Sequence, residues 1–281
     1  MKVKAYAELT KFEHTIFALP FLLSSVVLLV DEFPSLWKLF WIISAFVSAR
    51  TLGMALNRLI DLPIDKLNPR TAGWVHVRGE LSQESIKRFA LLSGAFFLFS
   101  CLMINLLTFL LAPVVVLLLW FYPYAKRITY YPHLVLGLVY FLIPIAVDVA
   151  ISENISLVSL MLGVGMAFWV AGFDILYSLQ DYEFDKRHGI KSIPVKHGIG
   201  NALKIARIFH LITFVALFLL VFMVEFLGIL YLLGLAVLGG FLVYEHLLVK
   251  DDLSKINKAF FTVNGYISVL YFLTVLLDRL M

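Results

Sequence analysis

Nine stretches of about 20 mostly apolar residues, separated by short charged loops, leave this chain few folds to adopt. They run over roughly 12–31, 36–58, 84–106, 107–124, 132–151, 156–180, 203–225, 227–248 and 260–279. Inside lipid every backbone polar group must be satisfied within the protein, so only helices and closed barrels cross a bilayer. Barrel strands alternate polar and apolar positions over about ten residues. These runs are longer and continuous, so the expected class is an all-α integral membrane protein with nine transmembrane helices. Composition agrees: 62% of the residues are hydrophobic and 15% charged, against about 45–50% and 25% in soluble proteins. The third and fourth segments are joined by so little that a tight antiparallel hairpin is expected.

Lys and Arg cluster on alternate sides of these segments. Lys2, Lys4 and Lys11 precede the first; Lys66, Arg70, Arg78, Lys87 and Arg88 follow the second. Lys126 with Arg127, the group Lys186, Arg187, Lys191 and Lys196, and the group Lys250, Lys255 and Lys258 complete the set. The intervening loops hold almost none. By the positive-inside rule the N-terminus is cytoplasmic and the C-terminus external, with the cytoplasmic (plasma) membrane as the expected location. The net charge of +4 therefore sets topology and gives no argument for nucleic acid. Cys101 is the single cysteine, which excludes an intrachain disulfide and reads as a small buried hydrophobe. Met1–Lys11 is short, and no small-residue cleavage site follows the apolar run behind it, which reads as a retained helix. No low-complexity tract, separate soluble domain or obligate protein partner is indicated.

Two segments run out of their apolar ends into acidic stripes. In the first, Arg50, Asn57 and Asp61 stand at i, i+7 and i+11, with Asp65 one turn further. In the second, Asp174, Tyr177, Asp181 and Asp185 stand at i, i+3, i+7 and i+11 on one expected helix face. Positions 50 and 174, 57 and 181, and 61 and 185 are each 124 apart, which divides the single domain 1–281 into related halves of about 1–125 and 126–281. Pro63 is expected to break the helix and leave Asp65 near a loop. Carboxylates at a membrane helix end need a cation or water. An oxygen set of this kind suits a hard divalent metal with a phosphate-bearing ligand. The plainer reading of either stripe is a solvated helix cap; recurrence at a fixed offset argues for the metal.

The other polar residues divide the same way. Arg50 lies two turns inside the membrane, where it either pairs with Asp174 or holds an acidic substrate. Lys126 and Arg127 can neutralise a diphosphate leaving group, and the face of Tyr122 can stabilise a cation; an aromatic belt with topology-setting charges is the alternative. Arg70, Arg78, Lys191 and Lys196 either close over phosphate or fix topology, and Tyr177 and Gln180 offer polar groups to the same wall. His14 and Thr15 read as structural. Asp148, Glu225, Glu245 and His246 read as interfacial, and Glu183 as solvated.

Asn57-x3-Asp61-x3-Asp65, Tyr122-x3-Lys126-Arg127 and Asp174-x2-Tyr177-x2-Gln180-Asp181-x3-Asp185, with the flanking Asn68-Pro-Arg-Thr-Ala72, together resemble the UbiA superfamily of intramembrane aromatic prenyltransferases. Within it the likeness is to 4-hydroxybenzoate polyprenyltransferases and their menaquinone-pathway relatives. The resemblance implies a nine-helix bundle around a central cavity open to the cytoplasmic side, with Mg2+ bridging the acidic motifs to a prenyl diphosphate. By position, Asn57, Asp61, Asp181 and Asp185 would hold metal, with Asp65 in support. Lys126 and Arg127 would bind diphosphate, Tyr122 would face the allylic cation, and Arg50 and Asp174 would lie nearer an aromatic acid. Two departures stand out. The family often has Asp straight after the motif Asn, where this chain has Arg58. After Arg70-Thr-Ala72 the family usually continues Asn-Arg-Pro, where this chain has Gly73-Trp74-Val75; Arg78, four residues on, is the candidate substitute for the missing arginine.

The implied reaction is Mg2+-dependent transfer of a polyprenyl group to an aromatic acid in quinone biosynthesis. 4-Hydroxybenzoate is favoured as acceptor over a dihydroxynaphthoate. A secondary transporter is the non-enzymatic rival, but transporter sites lie at the midplane on broken helices, whereas these carboxylates gather at one edge. A pure interaction protein leaves the paired Asp stripes unexplained.

Overall fold

The computed structural model describes residues 2–250, 253–256 and 258–281, and for 2, 12–17, 254 and 258–260 the backbone only. The side chains of His14 and Thr15 therefore lie outside the described residues. Every regular element among the described residues is helical: α1 Lys2–Thr10, α2 Phe12–Leu29, α3 Leu36–Asp65, α4 Gln83–Ile104, α5 Leu106–Ile128, α6 Pro132–Ser152, α7 Leu157–Ser178, α8 Tyr182–His188, α9 Ile193–Leu219, α10 Ile229–Lys250 and α11 Asn264–Leu280, with short 3-10 or π turns at several joints. Among the described residues eight helical segments are long and apolar enough to cross a membrane, and Ala18–Leu29 adds a shorter apolar helix. Each expected segment corresponds to one of these nine. The amphipathic α1 is additional. It was not foreseen because nine mixed residues carry no membrane-length signal.

The chain falls into two compact units, Met1–Ile16 with Pro34–Tyr124, and Phe17–Phe33 with Ala125–Met281. In the first, α3 packs on α4, and Ala45, Phe97, Cys101 and Ala112 form a buried cluster. Cys101 is a buried free thiol. The α4–α5 joint is Asn105 alone, whose Oδ1 accepts from Thr108 N (2.7 Å) and caps α5. Ser35 and Ser82 cap α3 and α4 in the same way, accepting from Lys38 N and Ser85 N. Outward leucines such as Leu91, Leu92, Leu110 and Leu117 stay exposed, as a lipid-facing surface requires.

In the second unit α7 is the most buried of the membrane-length segments. Gly137 of α6 and Gly163 of α7 let the two backbones approach: a Cβ would stand 2.7 Å from Ala167 O at the first and 2.8 Å from Phe141 O at the second. Phe21, Leu162, Met166, Trp169, Tyr231 and Tyr271 anchor the core on the other side. Two buried carboxylates tie helix ends together. Asp148 accepts from Ser152 Oγ, Ser156 N and Ser156 Oγ at the start of α7, and Asp278 accepts from Gly228 N and Tyr231 N at the start of α10.

Four expectations need correcting. Pro63 does not end α3, which runs to Asp65. Proline removes one hydrogen bond, yet the rungs beyond it persist, with Lys66 N donating to Leu62 O and Asn68 N to Ile64 O. The second acidic stripe is not one helix face: α7 stops at Ser178, Leu179–Asp181 tightens into a 3-10 turn, and Asp181 (φ −100°, ψ 4°) is the joint before α8. The segment expected from about 203 begins at Ile193, with Gly198 (φ 77°) breaking it into two pieces. Asp148, Glu245 and His246, read as interfacial, are shielded by the protein itself, Glu245 completely.

Candidate active site

The first acidic motif occupies the last three turns of α3. Asn57 Nδ2 donates to Asp61 Oδ2 at 2.8 Å, and Arg58 Nη1 donates to Asn57 Oδ1 at 3.3 Å. Asp61 is only 2% exposed and Asp65 7%. The following loop folds back on this helix end. Thr71 Oγ1 donates to Asp65 O (2.6 Å), and Asn68 Oδ1 accepts from Arg70 N (2.9 Å) in an Asx turn. His76, itself buried, places Nε2 2.8 Å from Asp65 Oδ2. Asp65 thus leaves α3 already held from the loop.

The remaining candidates of this unit are spread around that core. Arg50 Nη1 donates to Thr10 O (3.3 Å), the last carbonyl of α1, where a cation also suits the helix dipole. Arg70 lies 5.3 Å from the centroid of the Trp74 ring. Arg78 is half-exposed and pairs with Glu80 (2.9 Å) and Glu8 (3.4 Å). Tyr122 is half-buried near the end of α5.

In the second unit Lys126 and Arg127 end α5, and Lys126 O accepts from Lys191 N at 2.8 Å, joining that end to the loop after α8. Lys191 Nζ reaches Ile128 O (3.1 Å) and Lys196 Nζ reaches the Tyr131 hydroxyl (3.0 Å). Asp174 pairs with His133, Oδ2 to Nδ1 at 2.7 Å. The other ring nitrogen, Nε2, accepts from Ile193 N at 3.4 Å. With Nε2 accepting, the geometry pairs Nδ1–H as donor with Asp174 Oδ2 as acceptor. Tyr177 is one turn on, its ring centroid 6.4 Å from that of Phe261, and Gln180 Nε2 donates to Tyr177 O. Asp181 is half-buried, Asp185 buried, and Glu183 exposed.

Three partners were missed from the sequence: His76, His133 and Trp74. His133 stands one residue inside an apolar helix, and a buried imidazole there is a signal of its own. His76 lies in a loop without periodicity and carries no comparable mark.

The donor chemistry fits Mg2+. Among the described residues no three His, Cys, Asp or Glu side chains gather as a metal would gather them. What α3 presents is an amide and a carboxylate locked together on one turn, all oxygen at the ligand positions. Mg2+ is usually held by one or two carboxylates plus substrate phosphates, keeping several waters, rather than by an all-protein cage.

The helices and their apolar surfaces define an integral, multi-pass α-helical membrane protein. The UbiA prenyltransferase family matches over residues 18–269, and this chain belongs to that family and is a prenyltransferase. A 4-hydroxybenzoate octaprenyltransferase of Aliivibrio fischeri is 30% identical over 98% of this chain and 96% of its own. The apo structure of a UbiA homologue from Aeropyrum pernix K1 superposes with a TM-score of 0.86 at 30% identity, covering 95% of this chain and 98% of that one. A UbiA homologue from Archaeoglobus fulgidus bound to DMAPP and Mg2+ shares the fold, with a TM-score of 0.74 at 20% identity over 98% and 99%.

Proposed function

We propose that this prenyltransferase moves a polyprenyl group from its diphosphate to the ring of 4-hydroxybenzoate, using Mg2+ at the acidic motifs. The observation that carries the choice of acceptor is the near full-length match to relatives named for that reaction, such as those of Aliivibrio fischeri and Photobacterium profundum, at 30% and 29% identity. Asn57, Asp61, Asp181 and Asp185 would hold the metal and Asp65 would support them. When bound, Mg2+ supplies positive charge against the diphosphate leaving group. Lys126 and Arg127, with Arg70, Arg78 and Tyr177 as further contacts, bind the same anion and stabilise the charge that grows as the allylic C–O bond breaks. The electron pair of that bond leaves with the diphosphate.

The face of Tyr122 steadies the allylic cation. A ring π-pair of the acceptor forms the new C–C bond, and the Asp174 carboxylate takes the ring proton. Arg50 holds the acceptor's carboxylate; a guanidinium has five N–H donors, one of which serves Thr10. The apolar helices exclude water that would capture the cation. The Lys and Arg distribution supports an N-terminus and motif ends on the cytoplasmic side.

The purified protein with Mg2+, geranyl diphosphate and either 4-hydroxybenzoate or 1,4-dihydroxy-2-naphthoate decides the matter by mass spectrometry. Prenylated hydroxybenzoate is expected. Product with the naphthoate alone reassigns the acceptor, and diphosphate release without any acceptor makes the chain a hydrolase.

A further inference from the structure

The loop after α3 carries an indole among cations. Arg58 lies with its guanidinium carbon 4.1 Å from the centroid of the Trp74 ring, and Arg70 and Lys11 lie at 5.3 and 5.8 Å. Each distance is within the range where the ring quadrupole attracts a cation. Arg58 is 8% exposed, so its charge is largely removed from water and its partners are worth more than at a surface. Trp74 also has His76 at 5.8 Å between ring centroids, and His76 holds Asp65. Loop and helix end are therefore one packed body, with Glu8, Leu9, Lys11, Arg58, Trp74 and Val75 around a small cleft.

A chain of contacts leads from this ring to the first acidic motif. Trp74 stacks on Arg58, Arg58 Nη1 donates to Asn57 Oδ1, and Asn57 Nδ2 donates to Asp61 Oδ2. The donor chemistry allows only one orientation of the Asn57 amide. A guanidinium can only donate and a carboxylate can only accept, so the amide oxygen must face Arg58 and the NH2 must face Asp61. Turning the amide over would oppose donor to donor and acceptor to acceptor. A carbonyl oxygen has two lone pairs, so Oδ1 keeps one for a metal while accepting from Arg58.

We propose that Trp74 is a positioning residue: by stacking on Arg58 it fixes the Asn57 amide and the Asp61 carboxylate in the orientation that takes the metal–diphosphate end of the substrate. This rests on the reading of the α3 motif given above.

Trp74→Leu keeps apolar bulk and removes the quadrupole; Trp74→Phe keeps a weaker ring. Arg58→Leu breaks the same chain from the helix side. In Trp74→Leu and Arg58→Leu, the Mg2+ concentration for half-maximal rate and the KM for geranyl diphosphate are expected to rise on the order of tenfold. Trp74→Phe should stay within about threefold of the parent, and the KM for the aromatic acid should not move in any of them. The double variant Trp74→Leu/Arg58→Leu should be no worse than the poorer single, because both cut one chain. Calorimetric titration with magnesium pyrophosphate should show the same weakening without turnover. The role is overturned if Arg58→Leu binds magnesium pyrophosphate as the parent does, or if both KM values shift together. It is equally overturned if Leu and Phe at position 74 behave alike. Asp61→Ala, run alongside, separates the two ideas: full activity in that variant sinks the reading of the motif itself, whereas its loss beside unchanged Arg58→Leu sinks only the positioning role.

Discussion

Asp61→Ala and Asp181→Ala are each expected to lower prenyl transfer on the order of 10³-fold, the scale on which removing one preorganised stabiliser of a transition-state charge is felt. The two residues differ in what else the change disturbs. Asp61 is buried and accepts from Asn57 Nδ2, so its truncation also strands an amide, at about 1–3 kcal/mol. Asp61→Asn separates the effects: it keeps an acceptor of the same shape and loses only the charge. That variant should unfold near the parental temperature and still show the catalytic loss. Asp181 is half-buried at the joint between the 3-10 turn and α8, so alanine there should cost little stability. Single-turnover assays in detergent, paired with thermal unfolding, read both quantities. Near-normal rates in both alanine variants would end the metal reading.

The largest expected effect on stability lies within the second unit. Trp169 Nε1 donates to Asn264 Oδ1 at 2.9 Å, and Asn264 Nδ2 donates to Glu245 Oε1 at 3.0 Å. Glu245 is 0% exposed, and His210 and His246 are buried beside it. Asn264→Leu would strand an indole N–H and a carboxyl oxygen together, away from water. With about 1–3 kcal/mol for each group left unsatisfied, a loss of about 3 kcal/mol is expected. Pairwise hydrogen-bond couplings between membrane helices average only about 0.6 kcal/mol. A loss of that smaller size would mean that the stranded groups find other partners. Adding Glu245→Met to Asn264→Leu should recover part of the loss, since replacing both partners by apolar groups of similar shape is far cheaper than orphaning one. Reversible unfolding in mixed micelles measures the parent, the single and the double variant. No recovery in the double variant would show that Glu245 is held by something other than Asn264.

The membrane class, the approximate helix ends and the spacing of the acidic motifs were legible because each is local: hydropathy over 20 residues and side-chain periodicity need no knowledge of neighbours. Even so, the period misled where the backbone changed its geometry. Asp174 and Tyr177 are on α7, but Asp181 lies in a 3-10 joint and Asp185 on α8, so a 3.6-residue repeat does not carry through. Pro63 misled in the opposite direction, because one missing rung near a helix end was too little to stop it.

What the sequence alone determined, then, is that this chain must bury its backbone in helices and must present oxygen-rich acidic ends. Packing decided which partners those ends have. His76 for Asp65, His133 for Asp174, Trp74 for Arg58 and Asn264 for Glu245 are separated by 11, 41, 16 and 19 positions. The strength of such contacts depends on distance, direction and exclusion of water, and all three exist only after helices and loops have chosen their neighbours.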